Sequence, residues 1–181
     1  MSFEELIVRH ASPTLADLKS ASLVCLSMLD GNEGCKEELE GKGLSFLQLR
    51  NRKGCPLLLV YRKNRLKAAL CDAAAATILK ECGYDPEDLE GCLEMLRRRF
   101  LTESCPHEVG IFLGYPAEDV QGFIENSGRN AIFSGIWKVY SDPGRAREII
   151  RRWTECRSRY IECFCNGTEL TRLCIGPEEV I

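Results

Sequence analysis

The segment 104–108 brings together the side chains best suited to chemistry. Pro106 separates Cys105 from His107, and a proline favours an extended conformation for the residue before it. Residues two apart on an extended chain point the same way, so Cys105 and His107 face one space while Glu108 points to the other side. A thiol beside an imidazole can form an activated thiolate or supply two metal ligands. The alternative is a structural loop histidine beside an inert thiol.

Two other segments carry weaker chemical signals. A glycine turn at Gly114 precedes a helix start, and the free N–H groups of a helix N-terminus can bind an anion. Glu118 and Asp119 would occupy its first turn and repel an anion, which favours simple compensation of the helix dipole. Cys163 and Cys165 resemble half of a metal site, since on a strand both sulfur atoms would lie on the same face. At the end of a helix they would point nearly opposite ways and behave as small hydrophobic side chains.

An arginine-rich segment near the C-terminus could dock an acidic partner. Arg145, Glu148, Arg152, Glu155 and Arg159 follow one another at helical spacing with alternating charge. Such a stripe is typical of a solvated helix face laced with salt bridges. We favour that interpretation over a dedicated docking patch.

Composition limits the classes of function. The chain has 181 residues, of which 45% are hydrophobic and 28% charged, with a net charge of -3, so nucleic acid is not an expected partner. No apolar run is long enough to cross a membrane, and the first residues do not resemble a signal peptide, so we expect a cytoplasmic protein. The 11 cysteines include no C-x-x-C pair, and we interpret most of them as free thiols.

The elements that must position these residues alternate between strands and helices. We predict a single domain over 1–181, of class α/β (or α+β), with a mixed sheet of about five strands covered by helices and an irregular tail over 166–181. The predicted strands are 22–29, 44–50, 56–62, 109–113 and 131–140, and for 22–29 the continuation of the preceding helix is an alternative.

Proline and acidic residues mark the predicted helix starts. We predict starts at Ser12-Pro13, Asp85-Pro86, Pro116 and Asp142-Pro143. A further helix, over about 66–78, ends at Gly83 as a left-handed cap. An acidic, glycine-punctuated segment over 30–43 is predicted to be a loop around a short helix.

Three segments resemble one known family. They are 10–16 with Lys19 after it, 106–116, and 135–140. The family comprises uncharacterised proteins from anaerobic Firmicutes and is defined only as a domain of unknown function, DUF3793. The resemblance implies no reaction, fold or cofactor, but it singles out a set of polar residues: His10, Thr14, Lys19, His107, Glu108, Tyr115 and Lys138.

Three hypotheses follow. In the first, a pocket binds a small molecule or metal, with His107 as ligand or general base and Glu108 or His10 as its partner. The remaining candidate ligand contacts are Thr14, Lys19, Cys105, Tyr115 and Lys138. This hypothesis predicts the two histidines within about 10 Å of each other at a concave surface. The identity of any metal or cofactor stays open, as does the oligomeric state.

The second hypothesis is a non-enzymatic adaptor or regulatory domain that binds a protein partner through an exposed patch. The third is a redox or iron-handling accessory protein that uses thiols. It predicts at least three Cys or His side chains within ligand distance of one another.

Overall fold

A three-stranded antiparallel sheet forms the centre of the fold. The structure is a computed structural model that describes residues 1–29, 35–103 and 105–175. Strand β3 (Pro56–Arg62) lies between β1 (Ala21–Cys25) and β2 (Leu44–Arg50). Leu59 of β3 pairs with β1 on one side and with β2 on the other. Both faces of β3 are covered, as its unbroken apolar run predicts.

The turn between β2 and β3 follows from its sequence. The side chain of Asn51 accepts hydrogen bonds from the backbone N–H groups of Lys53 (3.0 Å) and Cys55 (2.9 Å). Gly54 adopts a positive φ of 81°, which a glycine tolerates without steric cost. The predicted bounds of both strands are confirmed.

Helices surround the sheet. In the described residues they are α1 (Phe3–Leu15), α2 (Lys36–Gly41), α3 (Lys63–Leu70), α4 (Ala73–Glu81), α5 (Leu89–Thr102), α6 (Val109–Phe112), α7 (Ala117–Glu125), α8 (Pro143–Cys165) and α9 (Leu170–Leu173). The strand predicted over 22–29 is shorter than expected, because β1 ends at Cys25 and a 3-10 turn (Leu26–Met28) follows it. The predicted start of α8 is confirmed, because the Asp142 carboxylate accepts hydrogen bonds from two backbone N–H groups of its first turn.

The sheet separates two hydrophobic cores. Leu59 points into the core formed with α3 to α7, whereas Leu58 and Val60 point into the core formed with α1 and α9. Helix α8 packs along α1 at the outer side of the second core. The result is a single mixed α/β domain.

The prediction of one sheet with about five strands is wrong. The strand predicted over 109–113 is the buried helix α6 (Val109–Phe112) followed by its C-cap, because a short apolar run without periodicity is compatible with either structure. Residues 131–140 form a separate two-stranded hairpin, β4 (Phe133–Ser134) and β5 (Lys138–Val139).

Two predicted helix starts are also wrong. Helix α1 begins after Ser2, whose hydroxyl accepts a hydrogen bond from a backbone N–H of the first turn, and Pro13 lies in its last turns. Helix α5 begins after Asp88, three residues later than predicted. In α5 the chain uses the second acidic residue after the proline as its cap, whereas in α1 the cap is a serine eleven residues before Pro13.

Three further predictions fall on helical segments. The helix predicted over 66–78 is two helices, since the Asp72 side chain caps a new start, and Gly83 ends the second with a φ of 87°. Helix α2 lies in the segment predicted as a loop around a short helix, of which 30–34 lie outside the described residues. Helix α9 lies within the predicted tail, where Leu170 is buried.

Candidate functional site

A cavity of about 600 Å³ opens between α6, α7 and the β4–β5 hairpin. This volume is in the range of small-molecule sites. Its walls come from three segments of the chain: Cys105, Pro106, His107, Val109, Gly110, then Tyr115, Asp119, Val120, Phe123, and finally Ser134, Gly135, Ile136, Trp137, Lys138. Four of the eight residues singled out from the sequence line it, namely Cys105, His107, Tyr115 and Lys138.

Glycines allow the walls to approach one another. A side chain on Gly110 would place a Cβ 2.7 Å from the Val120 side chain and 3.2 Å from the Tyr115 ring, so α6 can pack against α7 only without one. Gly114, at the turn between them, has a φ of 72°, which favours glycine. The sequence 109–116 therefore folds back on itself and sets Tyr115 into the wall.

Asp119 fixes the hairpin to α7. Its carboxylate accepts hydrogen bonds from the Trp137 indole N–H (2.7 Å), the Tyr140 backbone (2.8 Å), and the Ser141 backbone (2.9 Å) and hydroxyl (2.8 Å). Burial acts to raise the pKa of Asp119, but these four donors outweigh it and hold the pKa below the usual 3.8. The carboxylate is a structural anchor whose charge is already satisfied.

Aromatic rings form the deep wall. Tyr115 stacks on Trp137 with ring centroids 5.0 Å apart, and Trp153 of α8 packs 5.7 Å from Trp137. The Lys19 ammonium lies 4.7 Å from the Trp153 ring centroid and 5.4 Å from that of Tyr115. Burial lowers the pKa of Lys19 to about 8. Lys19 thus supports the wall from behind and does not line the cavity.

His107 stands at the mouth of the cavity. Its ring is exposed and meets the Phe123 ring edge-on at 5.0 Å. Neither ring nitrogen forms a hydrogen bond with any residue in the described part of the chain. Lys138 lies nearby on β5, with its ammonium 6.0 Å from the Phe123 ring and donating to the Gly128 carbonyl. Donors and acceptors are thus available at the rim.

Cys105 does not have the character of an activated thiolate. Burial raises the pKa of its thiol, and the negative charges of Glu108 and Glu103 raise it further. Tyr115 is likewise held protonated, since burial and then Cys105 raise its pKa to about 12. Both groups act in the cavity as neutral, weakly polar contacts.

Glu108 does not line the cavity that His107 lines. It is 2% exposed, accepts a hydrogen bond from the Tyr84 hydroxyl (2.7 Å) and pairs with the Arg99 guanidinium at 3.0 Å. Burial, followed by this carboxylate, raises the pKa of Tyr84. Glu108 therefore anchors the segment to the core and does not act as a partner for His107.

The two candidate residues on α1, His10 and Thr14, do not line the cavity. His10 is exposed on α1, where burial and then the charges of Arg157 and Arg9 lower its pKa. It does not line the cavity that His107 lines. Thr14 is fully buried and its hydroxyl lies 2.9 Å from that of Ser22, so it has a packing role.

Three residues that build the site are not among the candidates from the sequence: Asp119, Phe123 and Trp137. The position of Asp119 in a first helical turn indicates only dipole compensation, although it also precedes the Gly122 at which α7 meets the hairpin. Trp137 and Phe123 lie in segments that were noted for their pattern but not for their side chains. Trp137 directly precedes β5, and a buried tryptophan needs an acceptor for its indole N–H, so its presence is the sequence signal that points to a nearby acid such as Asp119.

A second hollow, of about 1000 Å³, lies beside β2 and β3 and is more polar. Arg65 makes two hydrogen bonds to Asp17 (2.8 and 3.0 Å), and Arg62 donates to four backbone carbonyl groups. Because the guanidinium groups are already engaged, this hollow supports ligand binding less well than the aromatic cavity.

Other expected features of the surface can also be located. On α8, Glu148 and Glu155 form salt bridges as expected, each at 2.7 Å, but their partner is Arg151, which is not an arginine of the predicted stripe. Within residues 1–29, 35–103 and 105–175, no three His, Cys, Asp or Glu side chains converge to hold a metal ion.

Among the helices of the described residues, none combines the length and the apolar character that a membrane span requires.

The structure thus combines a mixed α/β fold with a cavity walled by aromatic rings. The model of the family described as "Protein of unknown function (DUF3793)" matches residues 7–174, and the chain belongs to that family. No curated protein matches the chain. No solved structure matches it either.

Proposed function

We propose that the cavity binds a small, flat, mostly apolar molecule that carries an acidic group, and that His107 contacts its polar end. The observation that carries this proposal is an imidazole with uncommitted nitrogens at the mouth of an aromatic-walled cavity of about 600 Å³. Structural histidines usually have a ring nitrogen hydrogen-bonded to the protein. His107 is available to a ligand instead.

The chemistry of the walls selects the class of ligand. Tyr115, Trp137 and Phe123 present ring faces and edges that favour a planar aromatic or heteroaromatic body. Lys138 is the cationic side chain of the lining, and its ammonium has further N–H groups beyond the one directed to Gly128. Four donors already balance the negative charge of Asp119, so this carboxylate does not offset the positive charge of Lys138. The rim of the cavity therefore favours an anionic ligand.

If the site is catalytic, proton transfer is the reaction that it supports. A free imidazole can accept or donate a proton, whereas the protonated Cys105 thiol is a poor nucleophile. Glu108 is engaged by Tyr84 and Arg99 and does not orient His107. We propose a cytoplasmic location for this function.

Quenching of tryptophan fluorescence tests the proposal. Only two tryptophans are present, so Trp153→Phe leaves Trp137, in the cavity wall, as the sole reporter. The probe is 4-nitrobenzoate, a planar non-fluorescent anion, and its uncharged analogue is 4-nitrobenzamide. We expect saturable quenching by the anion, with weaker binding of the amide.

Two histidine variants provide a matched comparison. His107→Gln should weaken binding about fivefold, the loss of one hydrogen bond of about 1 kcal/mol. His10→Gln, outside the cavity, should leave the affinity unchanged. Lys138→Met should abolish the preference for the anion over the amide. Quenching that never saturates, or equal effects of the two histidine variants, would overturn the proposal.

A further inference from the structure

Two cysteines far apart in sequence meet at the surface of the sheet. Cys25 ends β1, and Cys55 follows the turn that joins β2 to β3. Their Sγ atoms are 3.3 Å apart, within van der Waals contact. Both are free thiols, with Cys25 exposed and Cys55 half-buried. A disulfide bond is about 2.05 Å long, so only a small closure separates this contact from a covalent bond.

The surroundings of the pair give the two sulfurs different roles. The Ser27 hydroxyl lies 2.9 Å from the Cys25 sulfur. Hydrogen bonds from the side chain and backbone of Ser27, and then from Cys55, lower the pKa of Cys25. The pKa of Cys55 is raised by its hydrogen bond to Cys25. Cys25 is therefore the better nucleophile for the first attack on a disulfide, and Cys55 is the thiol that resolves the mixed disulfide.

Five other thiols of the described chain differ from this pair. Burial is the main cause that raises the pKa values of Cys35, Cys92 and Cys156 to about 11. Cys163 and Cys165 are exposed at the end of α8, where residues two apart project in nearly opposite directions. The contact between Cys25 and Cys55 thus combines proximity, access and a reactive partner.

We propose that Cys25 and Cys55 form a redox-active dithiol that is oxidised reversibly to a disulfide by low-molecular-weight disulfides. The Cys25 thiolate attacks one sulfur of the oxidant, forming a mixed disulfide and releasing one thiol. The Cys55 thiolate then attacks the Cys25 sulfur and releases the second thiol. Two protein thiols lose two protons and two electrons in total, and one oxidant molecule becomes two thiols.

Oxidised glutathione is the probe. The reduced full-length protein is equilibrated with mixtures of oxidised and reduced glutathione, free thiols are alkylated, and disulfide-linked peptides are identified by mass spectrometry. Trypsin gives peptides 20–36 and 54–62, and the first also contains Cys35. A second cleavage after Glu33 separates Cys25 from Cys35 and makes the assignment unique.

We expect the link between Cys25 and Cys55 to form about tenfold more readily than any other cysteine pair. Cys55→Ser should trap glutathione on Cys25, whereas Cys25→Ser should remain largely unmodified at Cys55. Cys35→Ser is the matched control and should leave the link unchanged. Because the wild-type peptide map needs no variant, impaired folding of a variant cannot hide the answer. Oxidation that spares this pair while other thiols are consumed would overturn the proposal.

Discussion

Replacement of Asp119 by alanine tests how the cavity wall is held. The carboxylate is 1% exposed and joins α7 to the hairpin through four hydrogen bonds. Asp119→Ala removes the acceptor and leaves the Trp137 indole N–H and two backbone N–H groups without partners. The wall that carries Trp137 should loosen as a result.

The size of the effect can be worked from these contacts. A hydrogen bond to a charged group contributes about 1.5–3 kcal/mol, so four would exceed 6 kcal/mol if they were additive. The hairpin can detach locally and let water reach the donors, which limits the loss. We therefore expect the free energy of unfolding to fall by about 3–5 kcal/mol.

Asp119→Asn should cost about half as much. Its amide oxygen can replace Oδ1, which accepts from Tyr140 and Ser141, but its NH₂ group would then face the Trp137 indole donor. Urea unfolding followed by circular dichroism measures the global stability, and tryptophan emission reports the wall itself. Glu118→Ala is the matched control, because the Glu118 carboxylate is exposed and its ion pair with Arg145 is long at 4.0 Å. This substitution should change the free energy of unfolding by less than about 0.5 kcal/mol.

The same carboxylate gives a pH dependence. The pKa of Asp119 is lowered on folding, so its contribution is fully present above the unfolded value of 3.8 and is lost as the pH falls through the folded value. The stability gap between wild type and Asp119→Ala should therefore be constant near neutral pH and shrink in acid. A gap below about 1 kcal/mol at pH 7, with unchanged tryptophan emission, would refute the reasoning.

Three further substitutions or modifications have defined outcomes. Gly122→Ala places a Cβ 2.5 Å from that of Tyr140 and should destabilise the protein by about 1–3 kcal/mol in urea unfolding, whereas an effect near zero would mean that the hairpin yields freely. Arg62→Met removes the donor to four backbone carbonyl groups, and we expect a loss of about 3–5 kcal/mol and faster proteolysis of the C-terminal segment. Oxidation of Cys25 and Cys55 closes a loop of 31 residues and should raise the free energy of unfolding by about 3–4 kcal/mol, an increase that Cys55→Ser should abolish.

The sequence predicted well where local patterns decide the structure. The turn at Gly54 and the unbroken apolar run of β3 set two strands, and the Asp142 cap set the start of the longest helix. Each of these signals is satisfied within a few residues. The bounds of such elements follow from caps, turns and hydrophobic patterns alone.

The prediction failed where tertiary contacts decide. Residues 109–113 are apolar throughout, so no periodicity separates a strand from a helix, and Gly110 is required only because Val120 and Tyr115 pack against it. His107 and Cys105 were identified as candidates because proline spacing aligns neighbours. His10 lies outside the cavity because α1 packs against α8, and no local motif encodes the packing of these two helices.

Nuclear magnetic resonance of the isoleucine and valine methyl groups, recorded during titration with 4-nitrobenzoate, tests the central claim most directly. Ile136 and Val120 line the cavity, whereas Ile161 borders a groove between α1 and α8. We expect saturable shifts of the Ile136 and Val120 methyl groups, reduced in His107→Gln, with Ile161 unchanged. Shifts confined to Ile161, or no saturable shift at Ile136 and Val120, would contradict it.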